Sequence, residues 1–345
     1  MSPLILLIMV STMGLGTVIT MMSSHWLMAW MGLEINTLAI IPLMIKKHHP
    51  RAVEASTKYF LIQATAAATL LFASTMNAWL TGVWEISQMT HPLTLTLTTM
   101  ALALKMGLAP MHSWLPDIMQ GVDLEIGLVL ATWQKLAPFS LLFQVNNGVL
   151  MILLGLTSVI LGGWGGLNQT QLRKIMAYSS IAHFGWMFMI LQLLPSLSWV
   201  ALLTYVIMTF SLFNMFMLTK ATNINSLSTS WMKTPALIAL APLVLLSLGG
   251  LPPLTGFMPK WMILQELTKQ DFNATATTTA LSALLSLYFY LRLSYSMTLT
   301  IAPNTSTSSL PWRLYNTSVT TPTAYSIAMA LMLLPLLPLM MAFTF

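Results

Sequence analysis

The chain has 345 residues, of which 57% are hydrophobic and only 6% charged, with a net charge of +6. A soluble domain carries about 25% charged residues, so a surface turned wholly to water is excluded and a bilayer is the expected solvent. The cations are scattered, with no basic stripe interleaved with aromatics, which excludes a nucleic-acid partner.

A bilayer span takes about 20 apolar residues. On that measure eleven transmembrane helices are predicted, near residues 3–22, 25–45, 57–80, 93–115, 124–145, 149–168, 175–194, 198–219, 235–266, 274–295 and 323–343. The expected fold class is all-α, a polytopic membrane protein. The first span follows Met1-Ser2-Pro3 with no basic stretch or small-residue cleavage site, so it is expected to be retained. No Arg-rich transit peptide is expected either. Span two carries Glu34. After it come Lys46, Lys47 and Arg51, with His48 and His49 read as a solvated face. Lys58, near the start of span three, is placed to snorkel to the interface.

Span four carries Lys105, and Pro110 follows five residues on. A cation in hydrocarbon costs about 2.5–3.5 kcal/mol on insertion scales. The proline removes one N–H and frees the carbonyl of Met106. Charge and helix break together point to function. Span five carries Lys135, in Thr132-Trp133-Gln134-Lys135-Leu136-Ala137-Pro138. In span six, the run Gly162-Gly163-Trp164-Gly165-Gly166 reads as close helix packing. Span seven carries His183. Span nine carries Lys260 and, towards its far end, Glu266. The segment Met297–Pro322, with Arg313, is a polar connector to an appended last helix.

Span four has a partner. Gly107-Leu108-Ala109-Pro110-Met111-His112-Ser113-Trp114-Leu115-Pro116 aligns with Gly250-Leu251-Pro252-Pro253-Leu254-Thr255-Gly256-Phe257-Met258-Pro259, five predicted spans further on. An odd number of spans reverses direction, and matched broken helices in inverted halves are a transporter pattern. The expected organisation is a single membrane domain: 1–146 and 147–296 as inverted five-helix repeats, then 297–345 as connector and final helix. Lys/Arg bias sets orientation. Lys46, Lys47, Arg51, Arg173, Lys174, Lys220, Lys233, Arg292 and Arg313 share one side, which places the N-terminus there. Asp117, Asp123 and Glu125 also fall on that side, but acidic residues weigh little.

Three lysines in separate spans with a single nearby glutamate leave cations that pairing cannot satisfy. Burial disfavours a charge and a close opposite charge restores it, so a Glu–Lys pair that forms and separates can switch proton affinity without a metal. Glu34, Lys105, Lys135 and Lys260 are therefore the candidate proton relay. His112 and His183 are further candidates, since neutral imidazole carries protons near pH 7. For each histidine the competing reading is a satisfied interior group. No resident cofactor or metal is expected. Cysteine is absent, which removes disulfides, iron–sulfur and thiolate zinc sites, and no GxGxxG or Walker-type loop is present. The 29 methionines fit soft packing between helices or a biased genetic code.

Five stretches together carry a resemblance. They are Trp30-Met31-Gly32-Leu33-Glu34, Leu104 to Pro116, Thr132 to Pro138, Asn168 to His183 and Leu248 to Trp261. The sequence resembles the antiporter-like membrane subunits of respiratory complex I over essentially its whole length. The resemblance implies proton pumping by this chain, coupled to NADH oxidation and quinone reduction in other subunits, which hold NADH, FMN, iron–sulfur clusters and ubiquinone. It places the family's relay charges on Glu34, Lys105, Lys135 and Lys260. It implies other membrane subunits and lipids as partners, the inner mitochondrial membrane, and a matrix-side N-terminus. Bacterial relatives typically have three further N-terminal helices, whose absence would leave a flank for other subunits. Two rival readings stand beside it. A stand-alone cation/proton antiporter would work alone and respond to sodium; a scaffold subunit would use the same charges only for assembly.

Overall fold

A computed structural model describes residues 2–46, 48–145, 147–232, 234–299 and 321–336. The expected cations Lys47, Lys233 and Arg313, most of the polar connector and the end of the last span lie outside the described residues. The described chain is helical. Its only β pairing is two isolated bridges, His25 with Glu85 and Gln171 with Asn223. It falls into two compact units, Met1–Ser158 and Val159–Phe345.

The first unit begins with α1 (Pro3–Met22) and α2 (Trp26–Met44), which pack along their length. Gly16 and Gly32 let them touch: a Cβ on either would lie 2.9 Å from the other's carbonyl oxygen. α3 (Pro50–Thr81) is 32 residues long and starts earlier than composition predicts. His49 caps it, its Nδ1 accepting from the N–H of Arg51 at 3.2 Å, and Pro50 supplies a preset first turn. Arg51, Glu54 and Lys58 are therefore helical, where a loop was expected around Arg51. Predicted span four is two helices, α4 (Pro92–Met106) and α5 (Trp114–Gly121). Predicted span five is interrupted at Thr132, between α6 (Leu124–Ala131) and α7 (Trp133–Gln144). α8 (Gly148–Gly166) runs out of this unit.

The second unit holds α9 (Leu172–Leu191), α10 (Pro195–Thr219), the short α11 (Ile224–Ser228), α12 (Pro235–Gly249), α13 (Phe257–Lys269), α14 (Asn273–Thr298) and α15 (Thr321–Met332). The glycine run of α8 packs as expected. A Cβ on Gly162 would reach Ala182 N of α9 at 2.7 Å, and one on Gly163 would reach Leu285 Cβ of α14 at 3.0 Å. Predicted span nine is the broken pair α12 and α13.

Among the described residues seven helices are long and apolar enough to cross a membrane: α1, α2, α3, α6 with α7 as one stretch, α8, α10 and α14. The other predicted spans are α9, the two broken pairs and the partly described α15. α9 is buried over most of its length, as suits a helix screened from lipid by its neighbours.

Candidate functional site: two broken helices with buried lysines

The first break is made by backbone geometry before Pro110 is reached. Gly107 adopts φ +75°, a conformation that costs a side-chain-bearing residue about 1–2 kcal/mol. Its N–H donates to the carbonyls of Ala103 and Leu104, and the Leu108 N–H donates to Ala103 at 3.0 Å. This is a Schellman termination, so helix α4 stops at Met106 and the proline acts only after the chain has already turned. The Leu104 carbonyl takes a second donor, Trp114 Nε1, at 3.1 Å. The Lys105 carbonyl takes Gln63 Nε2 from α3 at 3.5 Å. With hydrocarbon around the bundle, each exposed carbonyl needs such a partner.

Beside this break lies a cavity of about 10 Å³, room for roughly one water. Lys105 and Lys135 both line it, together with Asn36, Thr37, Tyr59, Gln63, Trp114 and Gln134. The two lysines are 5% and 2% exposed, far drier than a snorkelling side chain. Lys135 enters because the interruption at Thr132 starts α7 just before it, and its N–H donates to Thr132 O at 3.3 Å. Gln134 Nε2 donates to Asn36 Oδ1 at 3.0 Å, tying α7 to α2 at the same level.

Glu34 sits on α2 next to lining residue Leu33 and is near enough to Lys105 and Tyr59 to act on both electrostatically. Yet no ion pair joins Glu34 to Lys105. Glu34 Oε2 and Lys105 Nζ are both buried without a hydrogen-bond partner. Taking a charge out of water without a partner costs several kcal/mol, so the arrangement does not serve stability.

In the second unit the break repeats and the lysine behaves differently. Gly250 has φ +84°, its N–H donates to Leu246 and Ser247 carbonyls, and the Leu251 N–H donates to Leu246 at 3.3 Å. Lys260, 9% exposed, comes from α13 and donates to Gly249 O at 2.8 Å and Leu248 O at 3.3 Å. A cation at the negative end of a helix is favoured by the helix dipole. Lys260 and His183 line a second cavity of about 10 Å³, with Thr204 and Met208.

The structure thus gathers Lys105 and Lys135 at one cavity with Glu34 behind it, and Lys260 with His183 at another. His112 joins neither set. Its Nδ1 lies 3.2 Å from Pro110 O, within the first break but outside the lining. Lys58 pairs with Glu54 on an open face of α3, and the buried Glu266 pairs with Lys269. Neither pair lines either cavity. Sequence reasoning passed over Tyr59, Gln63, Asn36 and Gln134. The signal was present for the amides, because each is a polar residue within an otherwise apolar predicted span. Among the described residues no three His, Asp or Glu side chains are grouped to hold a metal.

Comparison with known proteins agrees over the whole chain. Residues 23–286 match the family model for NADH:quinone oxidoreductase/Mrp antiporter membrane proteins, and residues 287–341 match the model of the NADH dehydrogenase subunit 2 C-terminus. The chain is 66% identical to NADH-ubiquinone oxidoreductase chain 2 of Tetraodon nigroviridis, over 98% of both chains. It is 62% identical to the protein of that name in Salmo salar, again over 98% of both. Among solved structures it is similar to a chain of respiratory complex I from Thermus thermophilus, with TM-score 0.79 and 27% identity over 96% of this chain and 78% of that one. A chain of the Mrp complex from Dietzia shares the fold, with TM-score 0.76 at 16% identity, over 86% of this chain and 61% of that one.

Proposed function

The chain belongs to the NADH:quinone oxidoreductase/Mrp antiporter membrane family, and on that premise we propose that it is the antiporter-like, proton-translocating membrane subunit of respiratory complex I. It is a multi-pass protein of the inner mitochondrial membrane and works as one subunit of a larger NADH:ubiquinone reductase. Electron transfer from NADH through FMN and iron–sulfur clusters to ubiquinone belongs to other subunits. This chain moves protons.

Glu34 biases Lys105, Lys105 and Lys135 hold and pass the proton across their shared cavity, and Lys260 loads or empties the path at the second break. The observation that carries this reading is the pair of buried, unpartnered atoms Lys105 Nζ and Glu34 Oε2. A structural ion pair would have brought them into contact. Two charges held near each other but apart instead let the affinity of Lys105 for a proton follow the state of Glu34. A cavity of one-water size between Lys105 and Lys135 supplies a bridging site. His183, beside Lys260, is the histidine suited to relay. His112, lying against a carbonyl in the turn, is the weaker relay member. Residues 1–146 and 147–296 act as inverted repeats in this reading, with the N-terminus on the matrix side.

Replacing Lys105 or Glu34 by an apolar residue is expected to lower the proton-to-electron ratio of the assembled complex while NADH oxidation continues. Unchanged stoichiometry in both variants would defeat the relay. If the charges served only assembly, native gels would show loss of the complex before any loss of pumping. Labelling of cysteines introduced at each membrane face tests the inverted repeats and the orientation.

A further inference from the structure

The relay leaves unused a set of buried hydroxyls in the second unit. Ser179 and Ser180 of α9 are 0% and 1% exposed. Each donates three residues back, to Met176 O at 2.8 Å and Ala177 O at 2.7 Å. Their oxygens are thereby turned outward as acceptors. Two tyrosines reach them from neighbouring helices. Tyr205 of α10 pairs with Ser180. Tyr290 of α14 faces Ser179, and its hydroxyl is fully buried without a formed hydrogen bond. The two phenols are near enough to interact with each other electrostatically.

Both ends of this set lead back to Lys260. The Tyr205 ring lies 5.5 Å from that of His183, which shares the one-water cavity with Lys260. At the other end a Cβ on Gly249, whose carbonyl holds Lys260 Nζ, would lie 3.7 Å from Tyr290 Cδ2. Packing does not require hydroxyls here. The same core is filled elsewhere by Phe184, Phe213, Phe216 and Phe289. Burying a hydroxyl without a partner is unfavourable, so phenylalanine would serve better at position 290 if filling space were the whole task.

We propose that Tyr205 and Tyr290, bridged by Ser179 and Ser180, form a hydroxyl branch of the proton path that leaves the Lys260–His183 cavity and ends on α14. The branch rests on the proton-translocating reading above. Each oxygen accepts one proton and gives up the one it held, so a proton enters at one end, another leaves at the other, and every hydroxyl ends neutral. The passage from the cavity to the branch runs through His183, which lines the cavity and packs against the Tyr205 ring.

Tyr205→Phe and Tyr290→Phe, made in the assembled complex in mitochondrial membranes, keep each ring and delete each hydroxyl. The expected result is a complex of normal size on native gels that oxidises NADH with a reduced proton-to-electron ratio and an altered solvent deuterium isotope effect on coupled turnover. Ser180→Ala carries the test where Tyr205→Phe impairs assembly. Unchanged ratio and isotope effect in the assembled variants overturn the branch. Lys260→Ala separates the two claims. If it pumps normally, the proton reading itself fails at this unit. If it loses pumping while the hydroxyl variants do not, only the branch fails.

Discussion

The two breaks are built on one backbone plan and differ in how their carbonyls are satisfied. Both α4 and α12 end in a left-handed glycine and the same termination bonds. At the first, Trp114 Nε1 covers Leu104 O and the lysine is left without a hydrogen bond. At the second, the residue aligned with Trp114 is Phe257, which has no N–H, and Lys260 covers Leu248 O and Gly249 O. A buried lysine beside a break can thus be left without a hydrogen-bond partner or can serve as the cap. In the alignment of the two breaks the carbonyl in register with Leu248 O is Lys105 O, and there the Gln63 amide holds the place that Lys260 takes at the second break.

The largest expected effect separates the lysines. Lys260→Ala strands two carbonyls and should lower the thermal stability of the assembled complex by about 1.5–3 kcal/mol, the range for hydrogen bonds to a charged group. Lys105→Ala strands nothing and should leave stability unchanged or raised while lowering pumping. Equal losses in thermal dissociation assays would break the comparison. Next, Gly250→Ala and Gly107→Ala each force a β-carbon into the left-handed region, at about 1–2 kcal/mol. Gly250→Ala should be the more damaging, because its Cβ would sit 3.0–3.1 Å from Lys260 Cδ and Nζ, so it should reduce pumping as well as stability.

Trp114→Phe copies the second break into the first. It removes a neutral hydrogen bond worth about 1 kcal/mol and leaves Leu104 O with the Gly107 N–H as its remaining donor. Pumping should fall as Lys105 is drawn towards that carbonyl, and Trp114→His, which keeps a ring N–H, should restore part of it. The smallest effect is expected for Gln134→Leu, which breaks the link to Asn36. Interhelical hydrogen bonds in membranes average about 0.6 kcal/mol, so thermal assays should barely register it.

Much of this is legible in the sequence. Ionisable residues inside apolar runs singled out Glu34, Lys105, Lys135 and Lys260, and the Gly–Leu–x–Pro pattern located both breaks. The capping partners were not legible, because Trp114 Nε1 and Lys260 Nζ bond to main-chain carbonyls, which carry no side-chain signature. The interruption at Thr132 was hidden for a related reason: Pro138 marks a weak helix but not where it yields. The early start of α3 follows from a histidine cap at His49, a residue type outside the usual capping set of Ser, Thr, Asp and Asn. His112 shares a motif with Lys105, yet the turn carries it to Pro110 O and away from the cavity.

The acceptors of Lys260 have a consequence for inheritance. Leu248 O and Gly249 O are peptide oxygens, which every amino acid possesses. A codon change at position 248 can alter the side chain there without deleting the oxygen. The docking point of Lys260 is therefore sheltered from most single substitutions. The first break is served instead by two side-chain donors, Trp114 Nε1 and Gln63 Nε2, so a heritable change at position 114 or 63 can remove the donor itself.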